Sequence, residues 1–252
     1  MLVADEAFDV FLHAFARTRS IVSPAECGRI DKLPVIRDVP GHRRKPRGQE
    51  IMVPTDVVVE EAIEIVEANR PATGFAVCVL RCDAEDGKAA IARMKQSGYR
   101  YMRSEPLMVR GTSDVPLPSA SVAVRRVSTA AEAATVAKFM GHRVTTESEL
   151  TEDPPTCRVY LAETDGKIVS YARSVDSILE SAYLAGMYTD AAYRRRGIAS
   201  AVLSTALVDD ARFGARFNVL LASRAGEQLY LSTGYVVLAH LYMFMPAKEK
   251  PE

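Results

Sequence analysis

One short segment near the middle of the second half combines residue types that could hold a charged ligand. It reads Tyr193, Arg194, Arg195, Arg196, Gly197, Ile198, Ala199 and Ser200. Gly197 has no side chain and lets a ligand approach the backbone, and Ala199 keeps the first turn of a following helix slim. The amides that open a helix lack internal partners and attract anions. The spacing Arg-x-x-Gly-x-Ala therefore predicts a phosphate site, and the alternative is a solvated basic cluster.

The elements on both sides of this segment must position it. The residues before it read as a strand that ends near Asp190, and apolar residues after Ile198 recur at helical spacing until Gly214. A buried-type strand, a short helix and a last strand follow. The predicted elements are a strand over 182–189, a helix from 198 to 214, a strand over 217–222, a helix over 225–232 and a strand over 236–245.

This order resembles the GNAT superfamily, the acetyl-CoA-dependent N-acyltransferases, over about 121–246. Two blocks carry the resemblance. The first, Met187 to Ala199, is similar to the family's strand and pyrophosphate loop. The second, Ser223 to Tyr235, is similar to its closing helix and Gly-aromatic turn. The resemblance implies an α/β (α+β) fold of GNAT type, in which helices flank a mixed, mostly antiparallel central sheet, with a smaller N-terminal α/β domain beside it.

The resemblance also implies a set of site residues. The strand before the loop would pair with the pantetheine arm of acetyl-CoA, and the loop would hold the pyrophosphate. The implied cofactor-binding residues are Met187, Tyr188, Thr189, Arg194, Arg195, Arg196, Gly197, Ile198, Ala199, Ser200, Ser223 and Tyr230. Tyr230 would also be the catalytic acid that protonates the departing thiolate. Ser223 stands where relatives often have Asn, and it offers fewer hydrogen-bond donors.

The base that takes a proton from the acceptor amine stays open. Glu180 is the nearest carboxylate upstream of the loop and is the weaker catalytic candidate. Tyr183 falls where relatives often carry a Glu, and Glu180 lies an odd number of residues from it. On a regular strand Glu180 would therefore face the opposite side of the sheet. A water chain, or an amine that arrives neutral, would serve equally well.

The chain divides near residue 118, since the stretch 111–119 is rich in turn residues and proline. Residues 119–252 form the predicted acetyltransferase domain, and residues 1–118 form an N-terminal α/β domain. In the first half we predict helices over 5–17, 55–68 and 83–96, and strands over 75–80 and 99–109. Because Ser97-Gly-Tyr99 echoes Thr233-Gly-Tyr235, this half is either a degenerate partial copy of the GNAT fold or an unrelated α/β domain. It has no Arg-x-x-Gly-x-Ala loop, so we expect no second cofactor site there.

Composition bounds the partners and the location. The formal net charge is zero and no apolar run reaches the length of a membrane span, so neither nucleic acid nor a membrane is an expected partner. The basic loop 41–48 lacks interleaved aromatic residues and is expected to be a solvated loop. The four cysteines and four histidines show no ligand spacing, so no metal is expected. Scattered cysteines and the lack of a secretory signal favour a cytoplasmic protein.

The leading expectation is acetyl transfer from acetyl-CoA to a primary amine of a small or amino-acid-like molecule. Acetylation of a protein or peptide is the alternative within enzymes, and an acyl-CoA-binding sensor without turnover is the alternative outside them. The acceptor pocket would be covered by the first half or by a second subunit of a homodimer.

Overall fold

A computed structural model describes residues 2–42, 48–115 and 122–247. The interior of the basic loop and the predicted boundary near residue 118 lie outside these residues. Within them the chain forms both helices and strands. The helices are α1 (Ala4–Ser20), α2 (Val59–Ala68), α3 (Ala84–Gln96), α4 (Ala130–Met140), α5 (Glu147–Thr151), α6 (Ile198–Arg212) and α7 (Glu227–Ser232). The strands are β1 (Ala25–Ile30), β2 (Leu33–Asp38), β3 (Gln49–Val53), β4 (Phe75–Arg81), β5 (Tyr99–Gly111), β6 (Val124–Arg126), β7 (Cys157–Thr164), β8 (Lys167–Asp176), β9 (Ser181–Thr189), β10 (Phe217–Leu221) and β11 (Val236–Pro246).

All the strands of the described residues join one sheet, in the order β1-β2-β3-β4-β11-β5-β10-β9-β8-β7-β6. Most neighbours are antiparallel, and the pairs β3–β4 and β9–β10 are parallel. The fold is therefore a mixed, mostly antiparallel sheet flanked by helices, as expected for the GNAT resemblance.

The two halves exchange their last strands at the centre of this sheet. β5, the last strand of the first half, pairs with β10 of the second half, and β11, the last strand of the chain, pairs with β4 of the first. β5 and β11 also pair with each other in an antiparallel ladder between Val109 and Tyr99. The sheet therefore runs without a break across the two predicted domains, and the domain boundary remains a prediction.

The order of elements repeats between the halves. The series β3-α2-β4-α3-β5 has the same sequence of types as β9-α6-β10-α7-β11, and each series contains one parallel strand pair. The first half has no counterpart of β6 among its described residues. A degenerate copy of the GNAT fold is compatible with this topology and stays a prediction.

The two faces of the second-half sheet are covered by different helices. α6 packs on one face, where Val202, Leu203 and Ala206 are buried against Leu184 and Leu220. α1, from the first half, covers the opposite face. Its Phe11 ring lies 5.6 Å from the ring of Tyr183 on β9. The first half thus covers part of the second, which is one of the two arrangements expected from the sequence.

Local sequence signals account for most elements. The Thr129 hydroxyl accepts from the Glu132 amide and the Glu132 carboxylate accepts from the Thr129 amide, so a capping box starts α4. The predicted start of α2 at residue 55 is wrong, because the Thr55 hydroxyl bonds to Asp5 and the helix begins at Val59.

The strands β1 to β3 were not predicted. In β1 polar residues and Gly28 interrupt any run of apolar side chains, because it is an edge strand that pairs with β2 alone. None of the helices in the described part of the chain is long and apolar enough to cross a membrane.

Candidate active site

The loop after β9 has a defined shape. The Asp190 carboxylate accepts from the Ala192 amide at 2.9 Å and starts a single 3₁₀ turn. The Arg194 Nε then donates to the Thr189 carbonyl at 2.9 Å, which ties the loop back to the end of β9. Arg195 and Gly197 adopt positive φ angles of 60° and 75°, and these two residues turn the chain into α6. A left-handed φ explains why glycine stands at 197.

The start of α6 presents backbone donors. The first helical hydrogen bond joins the Ala201 amide to the Gly197 carbonyl at 3.0 Å. The amides of Ile198, Ala199 and Ser200 therefore precede the helical ladder and have no intrahelical acceptor. A β-carbon at Gly197 would meet nothing within 4 Å, so the space above this turn is open. The predicted phosphate-binding turn has the shape that such a role needs.

The parallel strands β9 and β10 separate beside this loop. Their ladder contains only the pairs from Phe217–Ser181 to Val219–Tyr183, although β9 continues to Thr189. The edge of β9 beyond Tyr183 therefore has no strand partner on this side. An extended ligand could add to that edge as a further strand would.

A bulge reshapes β9 at the same level. Tyr171 of β8 pairs with Tyr188 and Arg173 pairs with Ala185, so Gly186 and Met187 together oppose a single residue. Gly186 has a φ of 67°, and a β-carbon there would lie 3.0 Å from the Tyr171 ring. The bulge needs glycine for both reasons. It turns the local backbone away from the regular ladder beside the gap.

A cleft of about 530 Å³ runs between the loop, β9 and α7. Every predicted cofactor-binding residue except Arg196 lines it. The lining residues are Met187, Tyr188, Thr189, Tyr193, Arg194, Arg195, Gly197, Ile198, Ala199, Ser200, Ser223, Ala225, Gly226, Leu229 and Tyr230. The volume is in the range of small-molecule sites. The structure therefore brings the two sequence blocks together around one cavity.

Arg196 is the exception. Its guanidinium carbon lies 5.3 Å from the centre of the Tyr193 ring, in a cation–π contact. Arg196 therefore does not line the cleft, and its place among the cofactor-binding residues stays a prediction.

Tyr230 lies at the inner end of the cleft. Its side chain is buried, and burial alone raises the pKa of its phenol to about 12. The phenol is therefore protonated at neutral pH and can donate a proton, whereas it cannot act as a base there. Its ring makes an edge contact with Tyr235, with ring centres 5.5 Å apart.

Ser223 connects the cleft to α7. Its hydroxyl accepts from the Gly226 amide at 3.3 Å, and its carbonyl accepts from the Glu227 amide at 3.0 Å. Serine at this position thus orders the turn that leads into α7. The hydroxyl retains a hydrogen that could be donated to a ligand in the cleft.

Glu180 is not brought to the cleft. It lies in the turn before β9, has a φ of 48°, and pairs with Arg216 at 3.1 Å. The length of β9 separates it from Met187 by roughly 20 Å. Tyr183, where relatives often carry a Glu, is buried under α1, and that burial raises the pKa of its phenol. Neither residue is placed to take a proton from an amine in the cleft.

A buried polar network behind Tyr230 was missed by the sequence reasoning. The Tyr235 hydroxyl donates to Asn218 Oδ1 at 2.6 Å, and the Asn218 amide donates to Asp210 at 2.7 Å. Arg158 Nη2 and the Ser174 hydroxyl donate to the same carboxylate at 2.9 and 2.6 Å. The network supports the aromatic pair from the far side. The signal for it was Asp210, a charged residue on the apolar side of the predicted helix.

Comparisons with known proteins agree with this geometry. Residues 155–237 match the family model described as an acetyltransferase (GNAT) domain. The matched residues run from just before β7 to the start of β11 and include both sequence blocks that line the cleft. A comparison with curated proteins gives no match.

Solved structures share the fold over nearly the whole chain. A GCN5-related N-acetyltransferase from Kribbella flavida has a TM-score of 0.66 and 17% identity, covering 94% of this chain and 95% of its own. One from Sphaerobacter thermophilus has a TM-score of 0.58 and 20% identity, covering 86% and 78%. A GCN5-related glucosamine N-acetyltransferase region of a fungal multi-domain GH3 β-N-acetylglucosaminidase has a TM-score of 0.54 and 12% identity, covering 84% and 31%. The first half is included in the similarity of fold.

Proposed function

We propose that this protein is an acyltransferase that moves the acetyl group of acetyl-CoA to a primary amine of a small molecule. The observation that carries the proposal is the cleft itself, where unpaired amides at the start of α6 and the buried Tyr230 phenol face one cavity. Phosphate groups suit the first feature, and a departing thiolate suits the second.

The fit to coenzyme A follows the cleft from the loop inward. The diphosphate would lie on the amides of 198–200, with Arg194 and Arg195 adding charge-assisted hydrogen bonds. The pantetheine arm would lie along the open edge of β9 between Tyr183 and Thr189. This direction leads the thioester to the bulge at Gly186 and Met187. A backbone amide there would stabilise the negative charge that develops on the carbonyl oxygen.

The chain's own residues would then handle the protons. Tyr230 holds its proton firmly and can deliver it to the sulfur when the carbon–sulfur bond breaks. α1 covers the opposite face of the sheet and would bound the acceptor pocket. Such a cover favours a small acceptor over a protein segment. The fungal glucosamine N-acetyltransferase region of similar fold makes amino sugars a reasonable first acceptor class.

Mass spectrometry of reactions with acetyl-CoA and a panel of primary amines tests the proposal. The panel should contain glucosamine, free amino acids, polyamines and short peptides. Acetylation of at least one small amine is the expected result. Preferential acetylation of peptides would replace the proposed acceptor class. Tight coenzyme A binding in calorimetry with no acetylated product would instead indicate a sensor of acyl-CoA.

A further inference from the structure

The strand exchange brings a carboxylate of the first half to the second-half site. Leu107 of β5 pairs with Leu221, the last residue of β10, and the Ala222 amide donates to the Pro106 carbonyl at 3.0 Å. Glu105 is the next residue along β5, beyond the end of β10. Glu105 is level with the position four residues after Val219. Val219 also pairs with Tyr183, and four residues further along β9 lies Met187, next to Gly186. Glu105 is therefore level with the bulge.

Glu105 also lies on the face from which an acceptor would approach. It stands opposite Leu241 of β11, whose side chain belongs to the core beneath α1. The coenzyme A cleft is on the other face, beside α6 and α7. β10 ends before this level, so no strand fills the space between β5 and β9. Two strand spacings, roughly 10 Å, would separate their backbones, which leaves room for an amine and one water.

The Glu105 carboxylate has an arginine partner and is partly exposed. Arg103 Nε donates to Glu105 Oε1 at 2.9 Å, and the Glu105 side chain is one-quarter exposed. Burial raises the pKa of the Tyr183 phenol and the Glu105 charge adds to that increase, so this carboxylate lies within electrostatic reach of Tyr183. Burial raises the pKa of the Cys78 thiol on β4, and the Glu105 carboxylate adds to that increase. On α1, Asp9 and His13 are exposed to solvent.

We propose that Glu105 is the general base of the reaction, a catalytic residue that the first half contributes to the second-half site. The inference rests on the proposed acetyl transfer. It explains why neither Tyr183 nor Glu180 needs to serve as a base.

The proton balance is as follows. The Glu105 carboxylate accepts one proton from the acceptor ammonium, directly or through one water, and releases it to solvent. The neutral nitrogen forms a bond to the thioester carbonyl carbon, and the carbon–sulfur bond breaks with its electron pair on sulfur. Tyr230 donates its phenolic proton to that sulfur. The second proton shed by the new amide nitrogen restores the phenol, so one proton is released per turnover.

Glu105→Gln tests the inference with the best amine of the panel. We expect kcat/KM at neutral pH to fall about 100-fold, the size typical for loss of a general base, with coenzyme A affinity unchanged within twofold. The deficit should shrink as the pH approaches the pKa of the amine, because the acceptor then arrives neutral. Glu105→Asp should restore part of the rate.

Glu180→Gln is the matched control, since Glu180 is also a carboxylate paired with an arginine but lies away from the cleft. We expect it to keep the wild-type rate. A Glu105→Gln variant with the wild-type rate, or with a deficit that is the same at every pH, would overturn the inference while leaving the acetyl transfer intact. Acetylation of no amine by the wild type would overturn the proposed function and the inference together.

Discussion

The two halves contain clefts at equivalent places in their repeated order of elements. The second-half cleft lies where β9 leads into α6, and the first-half cleft, about 580 Å³, lies where β3 leads into α2. The first-half cleft is lined by residues of the loop 55–58, the start of α2, the end of β4 and α3. The volumes are nearly equal, yet the chemistry of the walls differs.

Strand pairing is the first difference. β3 and β4 pair from Gln49–Phe75 to Val53–Val79, which is the whole length of β3. β9 and β10 stop pairing at Tyr183, six residues before β9 ends. Of these two parallel pairs, only β9–β10 therefore leaves an open strand edge beside its cleft. The shared order of elements in the two halves is therefore not enough to separate the two parallel strands.

The second difference is a side chain that anchors the loop of the first-half cleft. Arg81, at the end of β4, is buried and donates to the carbonyls of Pro54 and Leu80 at 3.1 and 2.6 Å and of Val57 at 2.9 Å. The Arg81 guanidinium therefore binds the backbone carbonyls of the loop that leads into α2. The cleft also presents Asp56 and Glu60, which would repel a phosphate. A parallel strand pair followed by a helix is therefore insufficient for a coenzyme A site.

Of the variants below, Gly197→Asp should cause the largest loss of coenzyme A affinity at the second-half cleft. Its carboxylate would stand where the diphosphate is proposed to bind. Loss of charge-assisted hydrogen bonds of about 1.5–3 kcal/mol each predicts at least a 100-fold fall in coenzyme A affinity. Asp tolerates a positive φ better than most residues, so the fold should persist. Calorimetry measures the affinity and circular dichroism checks the fold.

Val58→Asp is the corresponding change in the first half, because Val58 is the exposed N-cap of α2. Asp favours that position, and coenzyme A affinity should not change. If Val58→Asp weakened binding as much as Gly197→Asp, the assignment of the ligand to the second cleft would be wrong.

Tyr230→Phe should lower kcat about 100-fold with little change in coenzyme A affinity, because the ring and its contact with Tyr235 remain while the proton donor is lost. Single-turnover kinetics separates the chemical step from binding. Equal turnover by the variant would remove Tyr230 from the mechanism.

Arg81→Ala tests what Arg81 contributes to the first half. Removal of a buried donor leaves backbone carbonyls unsatisfied, so the free energy of unfolding should fall by about 2–3 kcal/mol in urea titrations. Arg93→Ala is the control, since Arg93 is half-exposed and pairs with Glu60, which predicts a cost below about 1 kcal/mol. Neither variant should bind a second coenzyme A. A second binding event in the Arg81→Ala protein would show that Arg81 alone closes the first cleft.

The smallest expected effect is a difference in coenzyme A affinity between two arginine variants of the loop. Arg195→Ala should weaken coenzyme A binding about tenfold, as expected for one charged hydrogen bond. Arg196→Ala should stay within about threefold, because its guanidinium stacks on Tyr193 outside the cleft. The reverse order of the two affinities would contradict the described orientation of these side chains.

Local pattern was sufficient for the elements around the site. Alternation and helical spacing predicted β9, α6, β10, α7 and β11, and the Arg-x-x-Gly-x-Ala spacing pointed to the loop whose residues line the cleft. The sequence offered no such guide to β1, whose polar residues reflect its place at an edge, or to Arg196, whose guanidinium lies over the Tyr193 ring.

The sequence by itself determined the spacing of the loop around Gly197, because backbone freedom at a glycine and the unpaired amides of a helix start depend on residues within a turn or two. The role expected of Tyr230 came from the resemblance to the GNAT superfamily. Tertiary structure decided that β5 crosses into the second half, that Arg81 anchors the loop of the first cleft, and that Glu105 reaches the level of Met187. The pairing of β5 with β10 joins residues more than a hundred positions apart, and Arg81 contacts loop residues 24 and 27 positions away. Backbone hydrogen bonding between strands is nearly independent of side-chain identity, so no local motif records which strand becomes the neighbour.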